Sequence, residues 1–338
     1  MFVALVGGTS QGAVVGYWRA ETDNDSGVGL SVPNEYAGGN PMIAPNASIS
    51  DAVPLSYLVG IGTNVGSING NANINGTVSA YAALNTSSIT VELFARTNEG
   101  GGDLISRTDG AGAGFIVTNV SSLDVTYAID DGAGGSELVT IPISHGFSSR
   151  WDHVAWTYDP ETGRSNVYID GQLKTSNEGS ETPGRNLYWQ GANTLWIGHD
   201  MDGAGLNGSG SLLDEVRISS IPLTPQQMLC AALQVDFGAA CQQVHPGFQA
   251  FTRSGDIDGP VAATFDSVLG TSGQVTVTVD AENTSNTIDF RDRGDSSLVN
   301  IGELIDDQIM NQSGGVQLTL SDLAAGEYLM TTWHHDLS

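Results

Sequence analysis

In the run LLDEVRIS, residues 212–219, a carboxylate falls where a strand ought to be apolar. Side chains alternate across a strand, so Leu212, Asp214, Val216 and Ile218 are predicted to share the core face, with Glu215 and Arg217 opposite. A charge on that face is costly unless backbone donors, an arginine or a metal ion compensate it. Two further runs set paired aspartates beside a glycine: TDNDSG (Asp23, Asp25, Gly27) and GDIDGP (Asp256, Asp258, Gly259). Calcium loops gather several oxygen ligands around a sharp turn. Neither run has the spacing or the closing Glu of the helix–loop–helix calcium motif, so both read as polar turns.

Catalytic patterns are sparse. Gly8-Thr9-Ser10-Gln11-Gly12 matches the GxSxG nucleophile elbow, but the elbow needs a helix after the serine and AVVGYW reads as a strand. His334-His335-Asp336 offers two imidazoles, yet neighbouring residues on a strand face opposite sides. Glycoside hydrolysis needs two carboxylates set across a sugar, and no run supplies an obvious pair. The chain is therefore predicted not to be an enzyme. For ligand contact the best residues are Tyr188, Trp189 and Asn193 in RNLYWQGAN, a loop-like stretch. Aromatic faces and amide groups of this kind serve sugar recognition; the same aromatics serve packing equally well.

The elements that must position these groups are strands. The chain has 338 residues, 44 of them Gly, and its apolar runs are short and separated by Asn, Ser, Thr and Gly. Strands are predicted over 13–19, 77–83, 88–96, 103–107, 113–118, 123–129, 137–142, 151–158, 165–170, 172–175, 194–198 and 212–218. In SSITVELFART, Ile89, Val91 and Leu93 line one face. Asp170-Gly171 suits a two-residue hairpin turn, in which both central residues take positive φ. LTPQQMLCAAL, 223–233, is the best helix candidate, with Thr224 as cap and Pro225 in the first turn. After residue 241, QVTVTVDA and GVQLTLSDL alternate cleanly and predict a second β unit.

Charge excludes several partners. With 38 acidic against 11 basic residues the net charge is −27, which repels nucleic-acid phosphates and anionic membrane surfaces. No stretch approaches the roughly 20 apolar residues of a membrane-spanning helix. The opening MFVALVGG is too short, and lacks the basic flank, for a signal peptide; it reads as a first strand.

The stretch SRWDHVAWTYDPETGRSNVYIDGQL resembles a signature of laminin-G-like, concanavalin A-type jelly rolls, in which a W-x-H-V-A strand precedes a V-Y-x-D-G hairpin. GYWRAE, SSITVELFART, GGDLISR, TLWIGHD and GSLLDEVRISSIPLTPQQM resemble further strands of that family, in the family's order. The resemblance implies an all-β fold: a jelly-roll β-sandwich over residues 1–229, a junction over 230–240, and a smaller β-sandwich over 241–338. It implies non-catalytic binding of carbohydrate or of an extracellular protein, at a cell surface or in secreted form. Hydrolytic relatives carry E-x-D-x-x-E or E-x-D-x-E on one strand; here Glu21-Thr22-Asp23 lacks the second Glu. The resemblance also implies one structural calcium ion, with Asp214, Glu21, Asp23 and Asp25 as ligands; a hydrogen-bonded, metal-free Asp214 is the competing reading. Extracellular thiols oxidise, and no third cysteine competes, so Cys230 and Cys241 are expected to pair. Alternatives are a structural repeat unit that self-associates in a surface filament, and a component of polysaccharide breakdown.

Overall fold

The computed structural model describes the chain apart from residues 1, 8–13, 22–28, 55–56, 59–61, 71–72, 98–101, 110–111, 120–122, 148, 178–181, 192–193, 200–205, 208–209, 231, 240–248, 254–255, 268, 282–286, 293–306, 312–314, 324–327 and 334–338. The fold is all-β, and the chain forms two compact units. One comprises residues 10–54 and 65–230, the other residues 1–9, 55–64 and 231–338.

The first unit is a jelly roll of two large antiparallel sheets. The first sheet has eight strands in the order Ser136–Ile143, Leu123–Asp130, Gly114–Asn119, Asp103–Thr108, Thr194–Ile197, Gly76–Ser79, Met42–Ala44 and Leu30–Val32. The second runs Gln172–Asn177, Arg164–Ile169, Asp152–Asp159, Ile89–Arg96, Leu212–Ser219, Ser67–Asn69 and Ser48–Ser50, with Val14–Trp18 also paired to Leu212–Ser219. One continuous core joins their inner faces. Trp18, Ile89, Val91, Leu93, Phe115, Tyr127, Trp156 and Tyr158 all belong to it, and the aromatic rings pack at tilted angles about Trp156. Such burial of aromatic area is the dominant stabilising term in a β-sandwich. The Asp170-Gly171 turn forms as expected, with φ of 51° and 71°.

Four expectations fail. Residues 223–233 are not a helix: a single 3₁₀ turn, Pro225–Gln227, is closed by a Thr224/Gln227 capping box, and strand Ala232–Ala239 follows. The apolar residues of this segment are divided between two cores. Leu223 and Met228 pack on Ala155 and Tyr168, whereas Leu233 joins Val235, Phe237 and Phe251. Residues 230–240 are accordingly not a junction, because most of them form a strand of the second unit. Nor does the jelly roll include the amino terminus. Strand Phe2–Gly7 pairs with Ala232–Ala239 on one side and Tyr328–Trp333 on the other. The second unit also holds two three-stranded sheets around Phe237, Phe251, Phe265 and Val277. GDIDGP is a paired strand, Asp256–Asp258, rather than a loop. His334, His335 and Asp336 lie outside the described residues.

Candidate functional site

The outer face of the second sheet is partly covered, and its charged side chains are buried. Glu92, wholly buried, accepts from Arg217 Nε at 2.7 Å and from the Leu229 amide at 2.8 Å, and lies 3.0 Å from His153 Nε2. Burial alone would raise the Glu92 carboxyl; Arg217 and His153 outweigh it and hold the group below its ordinary range. Burial would likewise depress His153, but Cys230 and Glu92 push it up to about 10. Beside this cluster Glu215 takes Arg19 Nε at 3.0 Å and the Tyr17 hydroxyl. Leu223, Met228 and Cys230 cover part of the same face, so the network is structural.

The first sheet presents a different outer face. Register places Thr140, Thr126, Ile116, Ser106, Trp196, Thr77, Ile43 and Ser31 in one row across all eight strands. Each strand sends the neighbours of these residues inward: Leu195 and Ile197 beside Trp196, Val125 and Tyr127 beside Thr126. Trp196 is half-buried at the centre of the row, with the His199 ring at 5.3 Å and 35°. The Ser106 hydroxyl donates to the His199 carbonyl at 3.0 Å. Gly198, at φ +69°, makes that approach possible: its amide donates to the Leu104 carbonyl at 2.7 Å, and a Cβ there would meet Ile74 at 2.5 Å.

One step along the strands, Thr118 stands between two carboxylates, opposite Asp103 on one side and Asp124 on the other. Neighbouring strands lie about 4.8 Å apart, which puts the two aspartate backbones roughly 10 Å from each other. Thr118 Oγ1 and His199 Nδ1 are both buried and have no hydrogen-bond partner among the described residues. The face thus combines a half-buried aromatic ring, threonine hydroxyls, an imidazole and the Asp124 carboxylate, a set able to stack on a sugar ring and hydrogen-bond its hydroxyls, while Asp103 is buried.

The residues singled out from sequence fare differently. Tyr188 hydrogen-bonds Gln190 and is backbone-paired to Ala128 and Gly114. Trp189 packs against the core, donates its Nε1–H to the Thr86 carbonyl at 2.7 Å and carries the Arg107 guanidinium 4.6 Å above its ring. Its role is packing. Asn193 lies outside the described residues. Asp214 is fully buried, and its Oδ1 accepts from the Glu215 amide at 2.8 Å. It does not share a face with Val216 and Ile218. The ladder to Ile89–Arg96 shifts between Glu92 and Phe94, Glu215 takes φ +52°, and the core receives Leu213, Val216 and Ile218. A bulge adds one residue and so reverses the alternation upstream of it.

Glu21 does not fit a calcium ligand: one oxygen pairs with Arg19 Nη2 at 2.8 Å and the other accepts the Val65 amide at 2.8 Å. Asp23 and Asp25 lie outside the described residues, among which no three His, Cys, Asp or Glu side chains gather as a metal group. Cys230 stands as a free cysteine beside His153; Cys241, its expected partner, lies outside the described residues.

Residues 69–228 match the family model of the concanavalin A-like lectin/glucanases superfamily. This segment is a concanavalin A-like domain. No curated protein matches the chain. Among solved structures, domain 4 of AbnA, an extracellular arabinanase from Geobacillus stearothermophilus in complex with arabinotriose, is 14% identical over 64% of this chain and 96% of its own, with a TM-score of 0.43. The Trypanosoma rangeli sialidase is 15% identical over 65% of this chain, with a TM-score of 0.44; the match spans only 32% of the sialidase. A carbohydrate-binding module of a Ruminococcus gnavus sialidase, bound to sialyllactose, is 14% identical over 48% of this chain and 94% of its own, with a TM-score of 0.37. Neither in the concanavalin A-like domain nor in the second unit do the described residues form a helix long and apolar enough to cross a membrane.

Proposed function

We propose that the concanavalin A-like domain is a non-catalytic carbohydrate-binding module that works outside the cell, and that the Trp196 face is its binding surface. The observation that carries this reading is the register row: a half-buried aromatic with Thr77 on one side and, beyond the buried Ser106, Thr126 and Thr140 on the other, on a sheet face that stays partly exposed. The residues directly beside Trp196 in register, Ser106 and Thr77, bear no carboxylate. That favours stacking over bond cleavage. The superfamily's description as lectins and glucanases supports a sugar as partner. A structural calcium ion is a separate proposal, resting on Asp214 with Asp23 and Asp25.

A glycan array, followed by calorimetry on the best ligand, tests the reading. Trp196→Ala is expected to weaken binding by more than about tenfold, as loss of a central aromatic anchor does. Turnover of any polymer by the intact protein overturns the non-catalytic role. Failure to bind any glycan, with concentration-dependent self-association in its place, points to the filament alternative. For calcium, a chelator should lower the melting temperature, since a ligand bound only by the native state stabilises it; an unmoved curve removes the ion from the account.

A further inference from the structure

We propose that the glycan taken by the Trp196 face is neutral and extended, not an acidic sugar such as a sialate, a uronate or a sulfated chain. This deepens the carbohydrate-binding reading and rests on it. Recognition of a carboxylate or sulfate sugar calls for a cation, most often arginine presenting paired N–H donors. The bases of the jelly-roll unit can be followed one by one. They are Arg19, Arg96, Arg107, Arg150, Arg164, Lys174, Arg185 and Arg217.

Six of them serve the second sheet. Arg19 is held by Glu215 and Glu21, Arg217 by Glu92, and Arg150 by Asp152. Arg96 lies over Trp151, Arg164 stands on the strand Arg164–Ile169 and Lys174 on the edge strand Gln172–Asn177 beside it. Arg185 is engaged by Glu137, through Nη1 at 2.6 Å, and by the Asp130 carbonyl. Arg107 points inward. It is 2% exposed, donates to the Leu84 carbonyl and Asn85 Oδ1, and is roofed by Trp189.

Among the described residues of this unit, no arginine or lysine therefore reaches this face, while Asp124 stands on it, half-buried. An anion brought there would meet the Asp124 carboxylate and the field of a chain carrying a net charge of −27. Shape adds the second half of the inference. The row from Thr140 to Ser31 crosses eight strands, roughly 34 Å at the spacing of a sheet. A lone monosaccharide would cover Trp196 only. A chain of sugars lying across the strands would also reach Thr126 and Thr140 on one side and Thr77 on the other.

The test uses the full chain near neutral pH against two sets of immobilised probes. The neutral set is arabinan, xylan, mannan and β-glucan; the anionic set is polygalacturonate, hyaluronan and sialyllactose. Binding is expected to at least one neutral polymer and to no anionic probe. Its affinity should change less than about twofold between about 20 and about 300 mM salt, because no ion pair is there to screen. The oligosaccharide series of the bound polymer should gain affinity from dimer to hexamer. Salt dependence and length dependence are read on the unaltered protein, so neither relies on a variant that folds.

Binding to an anionic probe, abolished by Trp196→Ala, overturns the neutral ligand and leaves the sugar-binding face standing. A hexamer that binds no better than a monomer overturns the extended mode alone. Binding to neither set overturns the carbohydrate reading itself.

Discussion

Glu92 and His153 make the jelly roll's stability depend on pH in a direction that can be worked out. The Glu92 carboxyl is held below its ordinary range in the folded state. Its contribution is present above the unfolded value of about 4.3 and is lost as pH falls through the lower folded value. His153 is pushed the other way, to about 10. Its contribution is complete below the unfolded value of about 6.5 and drains away as pH rises through 10. The melting temperature should therefore be greatest between about pH 4.5 and 6.5 and decline on the alkaline side. His153→Gln is expected to flatten the alkaline arm, measured by calorimetry; an arm of unchanged slope would show that the imidazole does not titrate there. The two tryptophans separate packing from binding. Trp189→Ala removes a core-packed ring, its bond to Thr86 and the roof over Arg107, and should cost about 3 kcal/mol while leaving glycan affinity alone. Trp196→Ala, on the open face, should show the reverse, with stability within about 1 kcal/mol of the parent. Arg107→Lys should cost about 2 kcal/mol, since an ammonium can neither span Leu84 and Asn85 nor stack on the indole.

At the scale of elements, two backbone irregularities decide what the strands present. The bulge at Glu215 reverses the alternation of Leu212–Ser219, so Asp214 leaves the core face and Leu213 enters it. Strand identity and extent were legible in the amino-acid pattern, because Val, Ile, Tyr and Trp alternate with polar residues throughout. The bulge was not legible, since it is fixed by the ladder to Ile89–Arg96 and by a carboxylate bonding its own neighbour's amide. The second irregularity is Gly198, which ends strand Thr194–Ile197 and turns His199 back over Trp196. Gly198→Val would demand a left-handed conformation of a β-branched residue and drive its Cβ into Ile74. We expect a loss of about 3 kcal/mol or more, or failure to fold, scored by urea denaturation. A fully stable variant with unchanged binding would show that this turn does not hold the site.

For the whole molecule, the amino-terminal strand is the informative piece. Phe2–Gly7 is a central strand of the four-stranded sheet, between Ala232–Ala239 and Tyr328–Trp333. A chain lacking residues 1–9 should keep the jelly-roll melting transition and lose or lower that of the second unit, because both neighbours lose their ladder partner. If both transitions persist unshifted, the strand is dispensable. Sequence distance conceals this pairing: more than 220 residues separate the partners, and nothing in MFVALVGG marks where its edge will be met.

Local chemistry is what the amino-acid sequence determined by itself. It set the all-β class, the jelly-roll strands at Val14–Trp18 and from Gly76 onward, the Asp170-Gly171 turn and the family order of the motifs, since each depends on neighbours within a few residues; the short strands Leu30–Val32, Met42–Ala44, Ser48–Ser50 and Ser67–Asn69 were not legible. Tertiary structure alone decided which faces are open. Glu92, Arg217 and His153, from three different strands and partly covered by the segment ending at Cys230, form a buried charge network. Trp189, a candidate ligand contact from the sequence, is packed against the core; Trp196, in the strand run TLWIGHD, is half-buried on the outer face of the first sheet. The alternation of Thr194 and Trp196 against Leu195 and Ile197 was there to be read. Which side of that alternation met solvent depended on the opposite sheet, and a single strand carries no record of what lies across its core.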